Sequence, residues 1–214
     1  MNYPEQYKTG IAYFMDYEFI VTPYAFIPRP ETELLVEKTI ETVKELSAIR
    51  VLDLCTGCGN IAISLTKYLS QSKITALDIS QKAICTAYKN AKSLGVSRIY
   101  FVLSDLFSAI KKIRYFDIIV CNPPYISKND MQSLPDEVKA EPFNALFGGS
   151  DGLHFYGKIA AEAKDYLTKR GCLIMEMGYD QKEKICGILR EEGYVDIEVF
   201  KDYSGIERIV KARI

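Results

Sequence analysis

The stretch Arg50-Val51-Leu52-Asp53-Leu54-Cys55-Thr56-Gly57-Cys58-Gly59-Asn60 decides the fold. Arg50–Leu54 reads as a buried strand, and the apolar spacing from Asn60 to Leu69 reads as a helix. The small and glycine residues between them mark a tight strand-to-helix turn. Outward from this unit the chain keeps alternating. Strands are expected at Ile74–Asp78, Ile99–Leu103, Asp117–Cys121 and Cys172–Met177. Helices are expected at Gln81–Leu94, Asp151–Leu167 and Gln181–Glu192. Such alternation implies a parallel sheet with helices on both faces. The end breaks the pattern, because Tyr194–Phe200 and Ile206–Ala212 are two strands joined by a short loop containing Gly205. The expectation is an α/β fold with a mostly parallel seven-stranded sheet that ends in an antiparallel hairpin.

Upstream, Ile11-Ala12-Tyr13-Phe14 and Glu18-Phe19-Ile20-Val21 flank Met15-Asp16-Tyr17 and read as a short β-hairpin. Thr22 to Pro30 is a proline-stiffened connector, and Glu31 to Leu46 shows helical spacing. The division expected is a hairpin and linker over 1–28 and a single domain over 29–214. Ile126 to Ser150 is the longest irregular segment, the kind of loop that often forms a lid or binding element.

The chain of 214 residues is 48% hydrophobic and 26% charged, as ordinary globular proteins are. Its net charge of −1 gives no global basic field to attract nucleic acid or anionic membrane. The one basic cluster, Lys111-Lys112-Ile113-Arg114, is expected to be a solvated helix end. No apolar run approaches a membrane span, and Met1-Asn2-Tyr3-Pro4 leads into charged and polar residues, so a cytoplasmic location is expected. The six cysteines should then be reduced. Cys55-x-x-Cys58 has metal-pair spacing, but no second pair follows and His154 is the one histidine, so no zinc site is expected. His154 itself reads as a surface residue near a helix start.

The glycine turn lacks the third glycine of a dinucleotide fingerprint, since Ala62 stands there, and it lacks a Gly-Lys-Ser/Thr phosphate loop. A tight Gly-x-Gly with an upstream acid suits a cofactor with an amino-acid end. Asp78, closing the next strand, is placed to hold ribose hydroxyls. Asp105 can accept from an adenine amine, with Leu106 and Phe107 covering the ring. Asp78 and Asp105 could instead be helix N-caps. Their coincidence at successive strand ends, where open α/β sheets bind ligands, points to S-adenosyl-L-methionine.

Asn122-Pro123-Pro124-Tyr125 follows the apolar run Phe116–Val120. A planar amide or base amine is a poor nucleophile because its lone pair is delocalised. The Asn122 side chain offers an acceptor to such a group. Pro123 and Pro124 fix φ and leave carbonyl oxygens free, while Tyr125 supplies a flat wall.

These residues give the chain a family likeness. It resembles the HemK/PrmC family, bacterial methyltransferases that modify a glutamine side-chain nitrogen of peptide release factors. The likeness rests on Phe26-Ile27-Pro28-Arg29-Pro30-Glu31-Thr32-Glu33, on Asp53–Gly59, on Asn122–Tyr125, and on Glu141-Pro142 with Gly148–Leu153. Glu176-Met177-Gly178 and Lys201–Arg208 add to it, so the resemblance runs from about Tyr7 onward. It implies a Rossmann-like class I S-adenosylmethionine-dependent fold. It implies that Cys55, Thr56, Gly57, Cys58 and Gly59 form the cofactor turn, with Asp78, Asp105, Leu106 and Asn122 completing the site. It implies that Asn122, Pro123, Pro124 and Tyr125 hold the glutamine amide, with Asn122, Pro123 and Tyr125 taking part in catalysis. The partner implied is a release factor presenting a Gly-Gly-Gln loop; the near-neutral charge and the lack of an apolar span set aside nucleic acid and membrane, and the oligomeric state stays open, with a monomer expected. Longer members carry an N-terminal helical domain, and this chain is expected to be the catalytic domain without it. Cys55 stands where the simplest pattern has glycine, and Leu106 where some members have tryptophan.

Two other readings use the same residues. An adenine or guanine amine of DNA or RNA could take the place of the glutamine amide. A non-catalytic cofactor-binding subunit would keep the fold without turnover. Cys55, Cys58 and Cys121 could also converge near the cofactor as a redox control, although small buried thiols are the plainer reading.

Overall fold

The computed structural model describes residues 3–44 and 48–214. The opening Met1-Asn2 and the helix end expected at Leu46 lie outside the described residues. A short helix α1 (Glu5–Thr9), absent from the sequence reading, stops at Gly10, which takes the left-handed φ of 77°. Strands β1 (Ile11–Phe14) and β2 (Tyr17–Ile20) then pair antiparallel, as expected of the hairpin. Phe14 and Phe19 are fully buried from this hairpin and meet edge to face at 6.1 Å. Helix α2 (Pro30–Val43) starts with Pro30 in its first turn and carries Glu31 and Glu33 there. Both features favour a helix start, since proline presets φ and acids complement the helix dipole.

The main body follows as β3 (Arg50–Leu54), α3 (Asn60–Tyr68), β4 (Lys73–Asp78), α4 (Gln81–Ser93), β5 (Ile99–Leu103) and β6 (Phe116–Cys121). Three single-turn helices come next, α5 (Asp130–Ser133), α6 (Asp136–Lys139) and α7 (Phe143–Leu146). Helix α8 (His154–Ala163), β7 (Leu167–Glu176), α9 (Lys182–Glu191), β8 (Val195–Lys201) and β9 (Glu207–Arg213) complete the chain. The seven strands lie in the order β5-β4-β3-β6-β7-β9-β8. All neighbours through β7 are parallel, and β9 runs antiparallel to both β7 and β8. The expected mixed sheet with its terminal hairpin is therefore present. One core cluster packs α8 and α9 on one face, and a second packs α2, α3 and the hairpin phenylalanines on the other.

The alternation of buried strands fixes where ligands can bind. From β3 the order runs outward to β4 and β5 on one side and to β6 and β7 on the other. A crevice opens at such a reversal, beyond the strands' carboxyl ends. The two strands flanking it are clamped at their other ends. Arg50 donates twice to the Asp117 carboxylate, at 3.0 and 2.8 Å, and its guanidinium lies over Tyr115.

Three expectations need correction. The helix expected over Asp151–Leu167 is the shorter α8, and Leu167 begins β7 instead. The Tyr166 carbonyl accepts from the Tyr115 and Phe116 amides, and Leu167 pairs with Phe116, so strand pairing claims the residues that looked like a last helical turn. Ile126–Ser150 is not irregular. Its ends are pinned by Ile126 N–H to the Leu146 carbonyl at 2.9 Å and Gly148 N–H to the Ile126 carbonyl at 2.8 Å, with α5, α6 and α7 between. Lys111–Arg114 is exposed as expected, but it lies in the connection from β5 to β6 rather than at a helix end.

Candidate active site

A cavity of about 470 Å³ opens at the carboxyl ends of β3, β4, β5, β6 and β7. That volume is in the range of small-molecule sites. It has two ends, each built from different parts of the chain.

At one end the glycine turn leaves β3. The Thr56 amide bonds the Leu77 carbonyl at 2.9 Å, which ties the turn to β4. Asp78 Oδ2 accepts the Gly57 amide and Oδ1 accepts the Ser80 amide, each at 2.8 Å. Burial raises the Asp78 carboxyl above its ordinary value, and these amides oppose the rise. Each oxygen keeps lone-pair capacity for a further donor. The helix cap of α4 is Ser80, which accepts from the Ala83 amide, so Asp78 is not itself that cap. Ile79 is 58% exposed and lines the cavity beside Asp78. Such exposure of a large apolar side chain at a cavity wall fits a ligand's flat ring. Asp105 and Leu106 line the same end, Asp105 exposed and Leu106 buried with a φ of 45°. Phe107 does not cover a ring here. It turns into the core and stacks on Tyr166 at 4.6 Å.

Cys55, Thr56 and Gly57 form cavity wall, whereas Cys58 and Gly59 sit behind it. Gly57 has a φ of 57° and open space where a Cβ would stand. Gly59 has a φ of 85°, and a Cβ there would lie 3.0 Å from that of Ala87. One glycine leaves room at the cavity and the other lets α3 and α4 approach. Cys58 packs with Ala25 and Ala83. Cys121 neighbours Cys55 in a different apolar cluster, and its thiol is pushed well up by burial and by that neighbour. Asp53 is fully buried beneath the turn and accepts from the Thr56 hydroxyl at 2.6 Å. Burial raises it to about 7.

These observations fit a nucleoside bearing an amino-acid end. Backbone is exposed at Gly57, acids stand at the ends of β4 and β5, and Ile79 and Leu106 supply apolar wall between them.

At the other end Asn122, Pro123, Pro124 and Tyr125 leave β6 and line the cavity. Asn122 Nδ2 donates to Thr32 Oγ1 of α2 at 3.1 Å. The Tyr125 carbonyl accepts from Gln181 Nε2 at 3.0 Å, which anchors the turn to the segment after β7. Ile126, Phe143 and Phe147 bring the short helices into the wall. That segment is tied down by Glu141, which is 4% exposed, accepts the Ile27 amide at 3.0 Å and pairs with Arg29. Glu176, at the carboxyl end of β7, is 2% exposed and lines the same end with Glu31 and Arg208. Burial lifts its carboxyl to about 7, with Thr32, Arg208 and Asn122 opposing the rise.

Sequence reasoning singled out Asp78, Asp105, Leu106 and the Asn122–Tyr125 turn, and the fold brings all of them to one cavity. It gave no role to Ile79, Thr32 or Glu176. Glu176 carried a signal, since an acid closing the apolar strand Cys172–Met175 stands at a ligand-binding strand end. Thr32 lies in the Phe26–Glu33 stretch that carries the family likeness, but its contact with Asn122 arises only through the tertiary packing of α2 against β6.

Among the described residues no helix is long and apolar enough to cross a membrane. The Methyltransferase small domain family matches residues 30–138. A release factor glutamine methyltransferase of Fusobacterium nucleatum subsp. nucleatum is 38% identical over 98% of this chain and 60% of its own length. One of Clostridium botulinum is 39% identical over 98% of this chain and 75% of its own length. Among solved structures, a methyltransferase from Pyrococcus furiosus superposes with a TM-score of 0.69 at 18% identity, over 91% of this chain and 87% of that one. The fold is thus the Rossmann-like methyltransferase fold. With such identity running along nearly the whole chain, through both ends of the cavity, the chain belongs to the release factor glutamine methyltransferase family.

Proposed function

We propose that this protein transfers a methyl group from S-adenosyl-L-methionine to the side-chain amide nitrogen of a glutamine in the Gly-Gly-Gln loop of a peptide chain release factor. The observation that carries the reading is the Asn122-Pro123-Pro124-Tyr125 turn facing the same cavity as Asp78 and Asp105. Family membership supports the choice of acceptor.

When bound, the cofactor supplies a methyl group already activated as a sulfonium. Thr56 and Gly57 hold its amino-acid end, with Cys55 beside them, and Cys58 and Gly59 keep that turn in shape from behind. Asp78 would accept from the ribose hydroxyls. Asp105 would accept from the adenine amine, and Ile79 and Leu106 would cover the ring. Asn122 borders both ligands. Its Nδ2 is engaged by Thr32, which leaves Oδ1 to accept one N–H of the acceptor amide. The Pro123 carbonyl accepts the other, Pro124 stiffens the turn, and the Tyr125 ring packs on the amide plane. Held this way, the nitrogen lone pair would be free to take the methyl group, leaving the cofactor as its thioether; the two oxygens would meet the charge developing on nitrogen until its surplus proton is lost. The segment carrying α5, α6 and α7 closes over the reacting groups and excludes water. Residues 29–214 form the catalytic domain, and the hairpin and linker of 1–28 support it. The protein acts as a monomer on a protein substrate, and its net charge of −1 favours no nucleic-acid acceptor.

The test is transfer of labelled methyl to a purified bacterial release factor, with and without excess DNA and RNA. Labelling that nucleic acid leaves unchanged is expected. Labelled nucleic acid in place of labelled protein would overturn the reading.

A further inference from the structure

We propose that Glu176 and Thr32 are positioning residues that fix which end of the Asn122 side-chain amide faces the acceptor nitrogen. The inference rests on the methyl-transfer reading and adds a residue pair to it.

A side-chain amide can present either its oxygen or its nitrogen, and only the oxygen can accept from a substrate N–H. An Asn122 turned the wrong way would aim donors at donors. The fold removes that choice. Thr32 Oγ1 takes one Nδ2 hydrogen at 3.1 Å. Glu176 lines the same cavity wall as Thr32 and Asn122, and both of those side chains favour its ionised form. A carboxylate only accepts, so it orients the Thr32 hydroxyl toward itself and leaves Thr32 Oγ1 as an acceptor for Asn122. Glu176 therefore sets the polarity of the chain, and Asn122 Oδ1 is left for the acceptor. Glu176 is 2% exposed, and among the described residues its Oε2 has no hydrogen-bond partner. A buried carboxylate with an unmatched oxygen at a cavity wall is costly to keep, which argues for a role in the site.

The same carboxylate loses its acceptor-only character when protonated, and burial places that event near pH 7. The groups around it are Arg208 from β9, Glu31 and Thr32 from α2, Asn122 and Tyr125 from the turn after β6, and Tyr156 from α8. Arg208 opposes protonation and Glu31 favours it.

The experiment compares wild type, Glu176→Gln, Thr32→Val and Thr32→Ser. It measures kcat and KM on a release factor, pH profiles, and affinity for S-adenosylhomocysteine. Thr32→Val and Glu176→Gln should each lower kcat about tenfold or more, with cofactor-product affinity within about twofold of wild type. Thr32→Ser keeps the hydroxyl and should restore most of the turnover. Wild-type kcat should fall as pH drops through about 7, and Glu176→Gln should lack that limb. Asp53 titrates in the same range and is unchanged in the variant, so a limb that persists in Glu176→Gln would overturn the proposal. Unchanged kcat in both variants of an active enzyme would overturn it alone, as would Thr32→Ser behaving like Thr32→Val. A wild type inactive on the release factor would overturn the parent reading and this one with it.

Discussion

The two ends of the cavity are built in opposite ways. The Asp78 end comes from short contiguous pieces: a glycine turn, an acid closing β4, and a dipeptide after β5. Each piece sits where a parallel strand ends, and backbone amides do much of the holding. The Asn122 end is assembled from α2, the turn after β6, the short helices α6 and α7, the end of β7 and Arg208 of β9. Its polarity depends on side chains that meet across the molecule. The first end suits a ligand common to many enzymes on one fold. The second can be rebuilt for a different acceptor without disturbing the first.

That separation should appear as separable losses. The largest effect is expected for Asn122→Ala. Turnover should fall by about 10²-fold or more while S-adenosylhomocysteine affinity stays nearly intact, read by steady-state kinetics beside calorimetric titration. A matching loss of affinity would merge the two ends. Next, Asp78→Asn should weaken cofactor-product binding by about 10-fold, the size of a hydrogen bond to a charged group. The KM for the release factor at saturating cofactor should hardly change.

A third prediction concerns stability. The Glu176 carboxyl is raised from 4.5 to about 7, so its contribution to stability is present below pH 4.5 and lost as pH rises through about 7. Glu176→Gln should therefore melt like wild type near pH 5 and higher at pH 8. The gain is on the order of 1–3 kcal/mol, or about 2–4 °C per kcal/mol. A variant that is more stable yet slower would mark this carboxylate as held for function. Equal melting temperatures at pH 8 would remove the penalty inferred from its burial. The smallest effects separate the two glycines of the turn. Gly59→Ala meets Ala87 and should lose about 1–2 kcal/mol in denaturant unfolding. Gly57→Ala has open space at the cavity and should lower cofactor affinity more than its left-handed φ lowers stability.

The same contrast governs what the sequence showed. Strand-end residues are legible because the parallel sheet makes position along the chain equivalent to position in space. Asp78, Asp105 and Asn122 could be assigned to one rim for that reason. Phe107 was misplaced by a local rule, since two residues after Asp105 the chain had already turned into the core against Tyr166. Tyr166 and Leu167 were absorbed into a helix because an apolar pair suits both a last helical turn and a buried strand, and only pairing with Tyr115 and Phe116 separates the two. Ile126–Ser150 hid its order because helices of one turn have too few residues to show a period. Thr32 and Glu176 are far apart in the chain, and their meeting beside Asn122 is a property of the packed fold alone.

The most direct measurement is the position of the transferred methyl group. A purified bacterial release factor and its Gln→Ala loop variant would be incubated with the protein and labelled S-adenosylmethionine, then digested and sequenced by tandem mass spectrometry. One methyl group on the side chain of the Gly-Gly-Gln glutamine, and none on the variant, is the result predicted. Label on another residue, on both proteins equally, or on nucleic acid alone would contradict a cavity built to hold a glutamine amide.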